Sequence, residues 1–245
     1  MNELHLFAGS GGGILGGMLL GHTCVCAVEI EPYPRSILIQ RQRDGILPPF
    51  PIWDDITTFD GTPWRGSVEI LAGGFPCQDI SAQQREKSKG IEGQRSGLWG
   101  EMARVIGEVQ SRFIFLENSP LLTRRGIGVV LSDLSKNGYD ARWGVIGANQ
   151  LGFGHWRKRI WIAAHLRSYG LQGRDNGYSE RHGEAETRPM AGLCEMSLRD
   201  DIPAPDAFGT AVGLPERMER TKAIGNAQVP RVAAAAFQIL TDEWL

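Results

Sequence analysis

The feature that most restricts the fold is the break formed by Gly9, Ser10, Gly11, Gly12 and Gly13. Residues 3–8 before it are an apolar run of strand character, and residues 14–20 after it resume with helical spacing. A strand, a glycine loop and a helix in that order let backbone amides approach a ligand closely at a helix N-terminus. α/β folds hold nucleotide-type cofactors in this way. The pattern departs from the dinucleotide fingerprint because Ile14 stands where the third glycine belongs. Taken alone, the loop fits a tight turn as well as a cofactor site.

The next elements favour the cofactor site. Residues 23–28 read as a second strand ending on Glu29, where a carboxylate can accept both hydroxyls of a ribose. Residues 31–43 read as an amphipathic helix, and a proline-rich connection leads to a third strand over residues 52–56. Asp55 at its mouth is placed to accept a hydrogen bond from an adenine amino group. A solvated turn accounts for Asp54 and Asp55 as well.

A fourth strand over residues 68–72 runs into Gly73, Gly74, Phe75, Pro76 and Cys77, where two glycines and a proline force an irregular loop. A cysteine just past a strand end is a candidate nucleophile, although a lone cysteine is more often a small buried hydrophobe. Residues 81–96 are polar and carry Arg85, Lys87, Lys89 and Arg95; so long a loop is usually functional or disordered rather than a mere connector. A helix over 97–110 precedes a buried strand over 112–116 that ends on Glu117 and Asn118. Ligands of open α/β sheets bind outside the carboxyl ends of the strands, so Gly9, Glu29, Cys77 and Glu117 should converge.

Residues 121–137 read as one helix with Arg124 and Arg125, and residues 139–146 as a strand. Arg157 and Arg159 alternate at the entry to a strand over 160–164, so both can reach one anionic or carbonyl-rich ligand, though such a pair is more often a solvated edge. Residues 167–209 shift to Gly, Arg, Glu and Pro with few apolar anchors, and a helix over 214–221 and an alanine-rich helix over 231–245 follow.

The net charge of −2 and pI near 6.2 do not advertise nucleic-acid binding, so any such function must come from local basic patches. Four cysteines at irregular spacing, and no apolar run of about 18 residues, lead us to expect a soluble protein of a reducing compartment. Cys24 and Cys26 read as strand packing residues, since no second Cys or His pair lies at zinc-ligand spacing, and no metal is expected.

Five segments in order resemble the DNA (cytosine carbon-5) methyltransferases: Phe7-Ala8-Gly9-Ser10-Gly11-Gly12, Phe75-Pro76-Cys77-Gln78, Glu117-Asn118-Ser119, Arg157-Lys158-Arg159 and Gly225-Asn226-Ala227-Gln228-Val229-Pro230. The resemblance implies an α/β, Rossmann-like, S-adenosylmethionine-dependent methyltransferase fold. Residues 1–165 would form the catalytic core, 166–213 a reduced target-recognition segment, and 214–245 a return to the core. By resemblance, Cys77 adds to cytosine carbon 6, Glu117 serves ring nitrogen 3, Arg159 holds the base carbonyl and Arg157 supports the catalytic loop. Phe7, Ala8, Gly9, Ser10, Gly11, Gly12, Ile30, Pro76, Asn226 and Ala227 would border the S-adenosylmethionine, with Glu29 at its ribose and Asp55 and Ile56 at its adenine. Gln78, Ser81, Arg85, Lys87, Lys89, Arg124, Arg125 and Lys158 would meet duplex DNA.

The implied setting is the cytoplasm of a prokaryotic or phage-infected cell, with no membrane attachment; the sequence leaves open whether a restriction endonuclease accompanies it. The chain departs from the family's pattern at His155, where glutamine is common, and at Gln228, where valine is common; both read as tolerated. Trp156 is also unusual for the family. The recognition segment is far shorter than usual, so a target of about two to four base pairs is expected. Two other readings stay open: a cytosine methyltransferase of structured RNA, and a non-catalytic nucleic-acid-binding relative. An oxidoreductase reading of the glycine loop leaves the Pro-Cys-Gln and Glu-Asn segments unexplained.

Overall fold

The structure, a computed structural model, describes residues 1–76, 97–167 and 225–245. Strands β1 (Asn2–Leu6), β2 (Thr23–Val28), β3 (Ile52–Trp53), β4 (Ile70–Gly73), β5 (Phe113–Asn118), β6 (Tyr139–Gly147) and β7 (Lys158–Leu166) form one sheet in the order β3-β2-β1-β4-β5-β7-β6. The first five run parallel, and β7 inserts antiparallel between β5 and β6. From β1 the chain builds outward through β2 and β3, then returns to β1's other side with β4. That reversal is the switch point at which an open α/β sheet leaves a crevice beyond its strand ends.

β4 and β5 are buried at every position, as expected of central strands covered on both faces. Their side chains alternate. Ile70, Ala72, Phe113 and Phe115 pack beneath helix α6 (Pro230–Thr241), against Val232, Ala236 and Phe237. Leu71, Ile114 and Leu116 face the opposite layer, where α3 (Leu98–Val109) contributes Trp99, Met102 and Ile106 and α5 (Ile127–Lys136) contributes Val130 and Leu134. The alanines of α6 allow a close approach to α1 (Gly12–Leu19): a Cβ on Gly16 would lie 2.9 Å from that of Ala233. The chain's last helix is thereby joined to its first, and on α1's other side Ile14 packs with Leu38 of α2 (Pro32–Arg43).

Three sequence expectations change. The single helix over 121–137 is two, α4 (Leu122–Arg125) and α5, because Gly126 adopts φ 144, outside the helical region. The third strand stops at Trp53, since at Asp55 the chain turns, with Asp55 accepting hydrogen bonds from the Thr57 and Thr58 amides. β1 ends at Leu6 because Phe7 takes φ 52. The helix expected over 214–221, and the recognition segment from residue 168 on, lie outside the described residues. No described helix is long and apolar enough to cross a membrane.

Candidate active site

At the end of β1 the chain passes through left-handed conformations at Phe7, Gly9 and Gly11, the last being the N-cap of α1. The loop is pinned from two sides. The Gly9 amide donates to Glu29 Oε2 at 2.6 Å and the Glu31 amide to Glu29 Oε1 at 2.8 Å, so one carboxylate braces the ends of β1 and β2. Arg41 of α2 donates to the Ser10 carbonyl. Burial pushes the Glu29 carboxyl above the usual range, and the two amide hydrogen bonds draw it partly back. Gly12 is required by contact: a Cβ there would lie 2.2 Å from the Gln228 carbonyl oxygen, so the loop before α6 rests directly on the first turn of α1.

Glu117 lies near the carboxyl end of β5 and is 7% exposed. Arg159, entering on the antiparallel neighbour β7, places its Nε 2.7 Å from Glu117 Oε1. Burial raises the Glu117 carboxyl above the ordinary range; the Arg159 and Arg157 charges oppose that, as do hydrogen bonds from Arg159 and the Gln228 side chain. Arg157 turns to the other wall, where its Nη2 donates to the Gly225 carbonyl at 2.8 Å and to the Ala227 carbonyl. Arg159 Nη2 also donates to the Gly225 carbonyl at 3.4 Å, so both arginines meet at that loop, while Arg159 alone is paired with the carboxyl. Asn118 donates to the Phe75 carbonyl at 2.8 Å, and Phe75 packs on Trp99, which together fix the path leading to Pro76. Cys77, Gln78, Ser81, Arg85, Lys87 and Lys89 lie outside the described residues.

A small open cleft lies between these walls. It gathers Phe7, Ala8, Gly9, Glu117, Asn226 and Ala227 from the expected set, together with His5, Gly13, Gly74 and Gln228, which the sequence does not single out as site residues. Ser10, Gly11, Gly12, Glu29, Ile30, Asp55, Ile56 and Pro76 do not line it. Glu29 acts from behind the loop, Ile30 is exposed, and Asp55 accepts the Thr57 amide within its own turn. The Ile56 side chain belongs to the core and its carbonyl accepts from Arg104. Arg124, Arg125 and Lys158 are exposed around the end of β5 and the start of β7.

The family model for C-5 cytosine-specific DNA methylase matches residues 1–200. The chain belongs to this family. Type II methyltransferase M2.BsuMI of Bacillus subtilis (strain 168) is 30% identical over 194 residues, covering 76% of this chain and 46% of that protein. Type II methyltransferase M.CviJI of Paramecium bursaria Chlorella virus IL3A is 29% identical over 167 residues, covering 68% and 43%. The chain therefore spans less than half the length of either relative. Among solved structures, a Spodoptera frugiperda DNMT2 variant superposes with a TM-score of 0.54 at 15% identity, over 75% of this chain and 56% of that one. The S. pombe Dnmt2 methyltransferase does so at 0.51 and 21%, over 68% and 49%. Both likenesses are of fold.

Two features of this chain escape sequence reasoning. Gln228 bridges the first turn of α1 and the end of β5, and a single polar residue in a loop motif carries no signal of that. Glu3, His5 and His22 form a buried cluster, with His5 Nε2 and His22 Nδ1 each 2.7 Å from a Glu3 oxygen. Its only trace in the sequence is the alternation of Glu3 and His5 on one face of an otherwise apolar strand. Among the described residues no group of three or more His, Cys, Asp or Glu side chains is arranged to hold a metal ion.

Proposed function

We propose that this methylase transfers a methyl group from S-adenosylmethionine to carbon 5 of a cytosine flipped out of duplex DNA, through a covalent adduct on Cys77. The observation that carries the reading is the Glu117–Arg159 pair, a buried carboxyl of raised pKa oriented by a guanidinium at 2.7 Å, with the Glu117 side of the pair lining a cleft shared with the glycine loop. The residues fit the cofactor: Gly9 has open space on the side where a Cβ would stand, and Glu29 stiffens the loop from behind. Phe7, Ala8, Gly9, Asn226 and Ala227 would border it, with Glu29 and Ile30 towards the ribose and Asp55 and the Ile56 amide towards the adenine. When bound, it supplies an electrophilic methyl on a sulfonium sulfur.

The chain's own residues then have distinct roles. Cytosine carbon 5 is a poor nucleophile, so the Cys77 thiolate adds to carbon 6 and the displaced electron pair makes carbon 5 nucleophilic. Glu117 donates a proton or hydrogen bond to ring nitrogen 3, where negative charge would otherwise accumulate. Arg159 holds the base carbonyl oxygen as well as Glu117, and Arg157 holds the 225–227 loop in place. Once carbon 5 is methylated, loss of its proton and expulsion of the thiolate restore the ring and the free enzyme. Carbon 6 is inaccessible in a stacked duplex, which is why the base must leave the helix. Residues 1–165 and the C-terminal helix form the catalytic core in this reading, and the segment from 166 to 213 reads the target. Lys87, Lys89, Arg124, Arg125 and Lys158 neutralise phosphates.

The test is to incubate the protein with methyl-labelled S-adenosylmethionine and either duplex DNA or transfer RNA, and to locate the label. We expect 5-methylcytosine in DNA, and a trapped protein–DNA adduct with 5-fluorocytosine for the wild type but not for Cys77→Ser. Label found in transfer RNA alone would move the substrate to RNA, and absence of the adduct would remove the covalent step.

A further inference from the structure

Gln228 stands at a junction that its place in the sequence does not announce. It lines the cleft and also a second, narrow hollow beside it between β1, α1 and α6, so it borders both. Its backbone carbonyl fills the space a Cβ on Gly12 would need, and its side-chain Oε1 would lie 2.5 Å from a Cβ on Gly13. At its other end, Nε2 would lie 3.4 Å from a Cβ on Gly74, where Glu117 Oε2 would lie 3.0 Å away, and the Gln228 carboxamide hydrogen-bonds the Glu117 carboxylate. The carboxamide oxygen therefore points at the first turn of α1 and the nitrogen at the catalytic carboxyl.

We infer that Gln228 is a positioning residue for Glu117: held against α1, it orients the carboxyl from the side opposite Arg159. The inference rests on the proposed reaction and extends it. With Arg159 Nε on Oε1 and the carboxamide as a second donor, the carboxyl is clamped and can present only its remaining edge to the cleft. The groups facing Glu117 are Arg159 and Arg157 on the β7 side, His5 along the cleft from β1, and uncharged Gln228 from the loop before α6. An amide donor stabilises the ionised carboxyl, so Gln228 opposes burial and eases release of the Glu117 proton to ring nitrogen 3 as the thiolate adds to carbon 6. A valine, common in the family at this position, can do neither.

The experiment uses Gln228→Met, which keeps length and volume without the amide, with Gln228→Val as the second variant. In the unliganded protein, a titration of the 13C-labelled Glu117 carboxyl should show its midpoint rising by about one to two pH units in both variants, the loss expected for a hydrogen bond to a charged group. On cytosine-containing duplex DNA, kcat should fall about tenfold while KM for S-adenosylmethionine changes less than threefold, and the alkaline limb of kcat should move up with the Glu117 midpoint. An unmoved Glu117 midpoint with wild-type kcat would overturn the inference, as would a loss of cofactor binding large enough to account for the whole fall in rate. If the wild type methylates no DNA yet the Glu117 midpoint still shifts in the variants, the substrate reading fails and the contact stands.

Discussion

Arg159 Nε lies 2.7 Å from Glu117 Oε1, and the two arrive from antiparallel strands on which Glu117 pairs with Trp161 and Asn118 with Ile160. The antiparallel insertion of β7 thus brings a cation to the carboxyl end of a parallel strand. A parallel strand in that slot would present its own carboxyl end there, and residues at its entry would sit on the far side of the sheet. The topology assembles the pair.

Removing one partner tests how much the pair matters to the fold. Arg159→Ala leaves a buried carboxyl without its nearest counter-charge, which should destabilise the protein by about 2–3 kcal/mol, near the low end for a broken buried pair because the arginine is partly exposed. Urea unfolding at pH 7 measures it. Part of the loss should vanish at acid pH, where Glu117 is protonated and the missing cation no longer matters.

Glu117→Gln separates chemistry from binding. Burial raises the Glu117 carboxyl, so its proton persists above the ordinary glutamate range and is lost as pH rises through the raised value. Turnover that needs the proton should decline along that limb. The glutamine variant should turn over about a hundredfold or more slowly, show no such limb, and keep its affinity for S-adenosylmethionine. Glu29→Ala should do the reverse, raising KM for the cofactor because it loosens the loop that Glu29 braces. Equal effects of both variants on KM and kcat would contradict this division of labour.

Gly12→Ala examines the contact between the two ends of the chain. Its Cβ would meet the Gln228 backbone carbonyl at 2.2 Å, and since that oxygen belongs to the chain itself, either α1 or the loop before α6 must shift. Overpacking of this kind costs about 1–3 kcal/mol. Thermal unfolding should show the loss, accompanied by a higher KM for S-adenosylmethionine. Gly9→Ala, which has open space around its Cβ, should cost stability through its φ of 55 alone.

The parallel half of the sheet is legible in the sequence because its strands are short apolar runs that end at polar or glycine-rich breaks. Strand β2 spans the residues expected of it and runs straight into Glu29. Glu117 lies near the end of β5, as its apolar run implies, and Arg157 and Arg159 lie at the entry to β7, as their alternation there implies. The break at Gly126 is not, because apolar spacing continues across a glycine that a helix can tolerate, and only the backbone reveals φ 144. Gln228 reads as merely tolerated, since its importance lies in what it touches on α1 and β5, more than a hundred positions away in sequence. Cys24 and Cys26 are packing residues, as their place in a strand implies: both are buried, and burial pushes the Cys26 thiol up to about 11, far from a reactive thiolate.

Glu3 offers a test of stability independent of catalysis. It is 5% exposed on β1, and both its oxygens are engaged, with His5 Nε2 and His22 Nδ1 each at 2.7 Å. Burial alone would raise its carboxyl, yet the hydrogen bonds and charges of the two histidines prevail and hold it at about 2. A carboxyl depressed in the folded state adds stability that is fully present above its unfolded value near 4.5 and is lost as pH falls through about 2. That difference corresponds to about 3 kcal/mol. Glu3→Gln keeps the shape and removes the charge, so wild type should exceed the variant in urea unfolding at pH 5–7, and the gap should close as pH approaches 2. Because the cluster sits behind the cleft and shares His5 with it, cofactor binding should weaken over the same acid range. A stability gap that stays constant from pH 7 down to pH 2 would assign the effect of Glu3 to packing and remove the charge from the account.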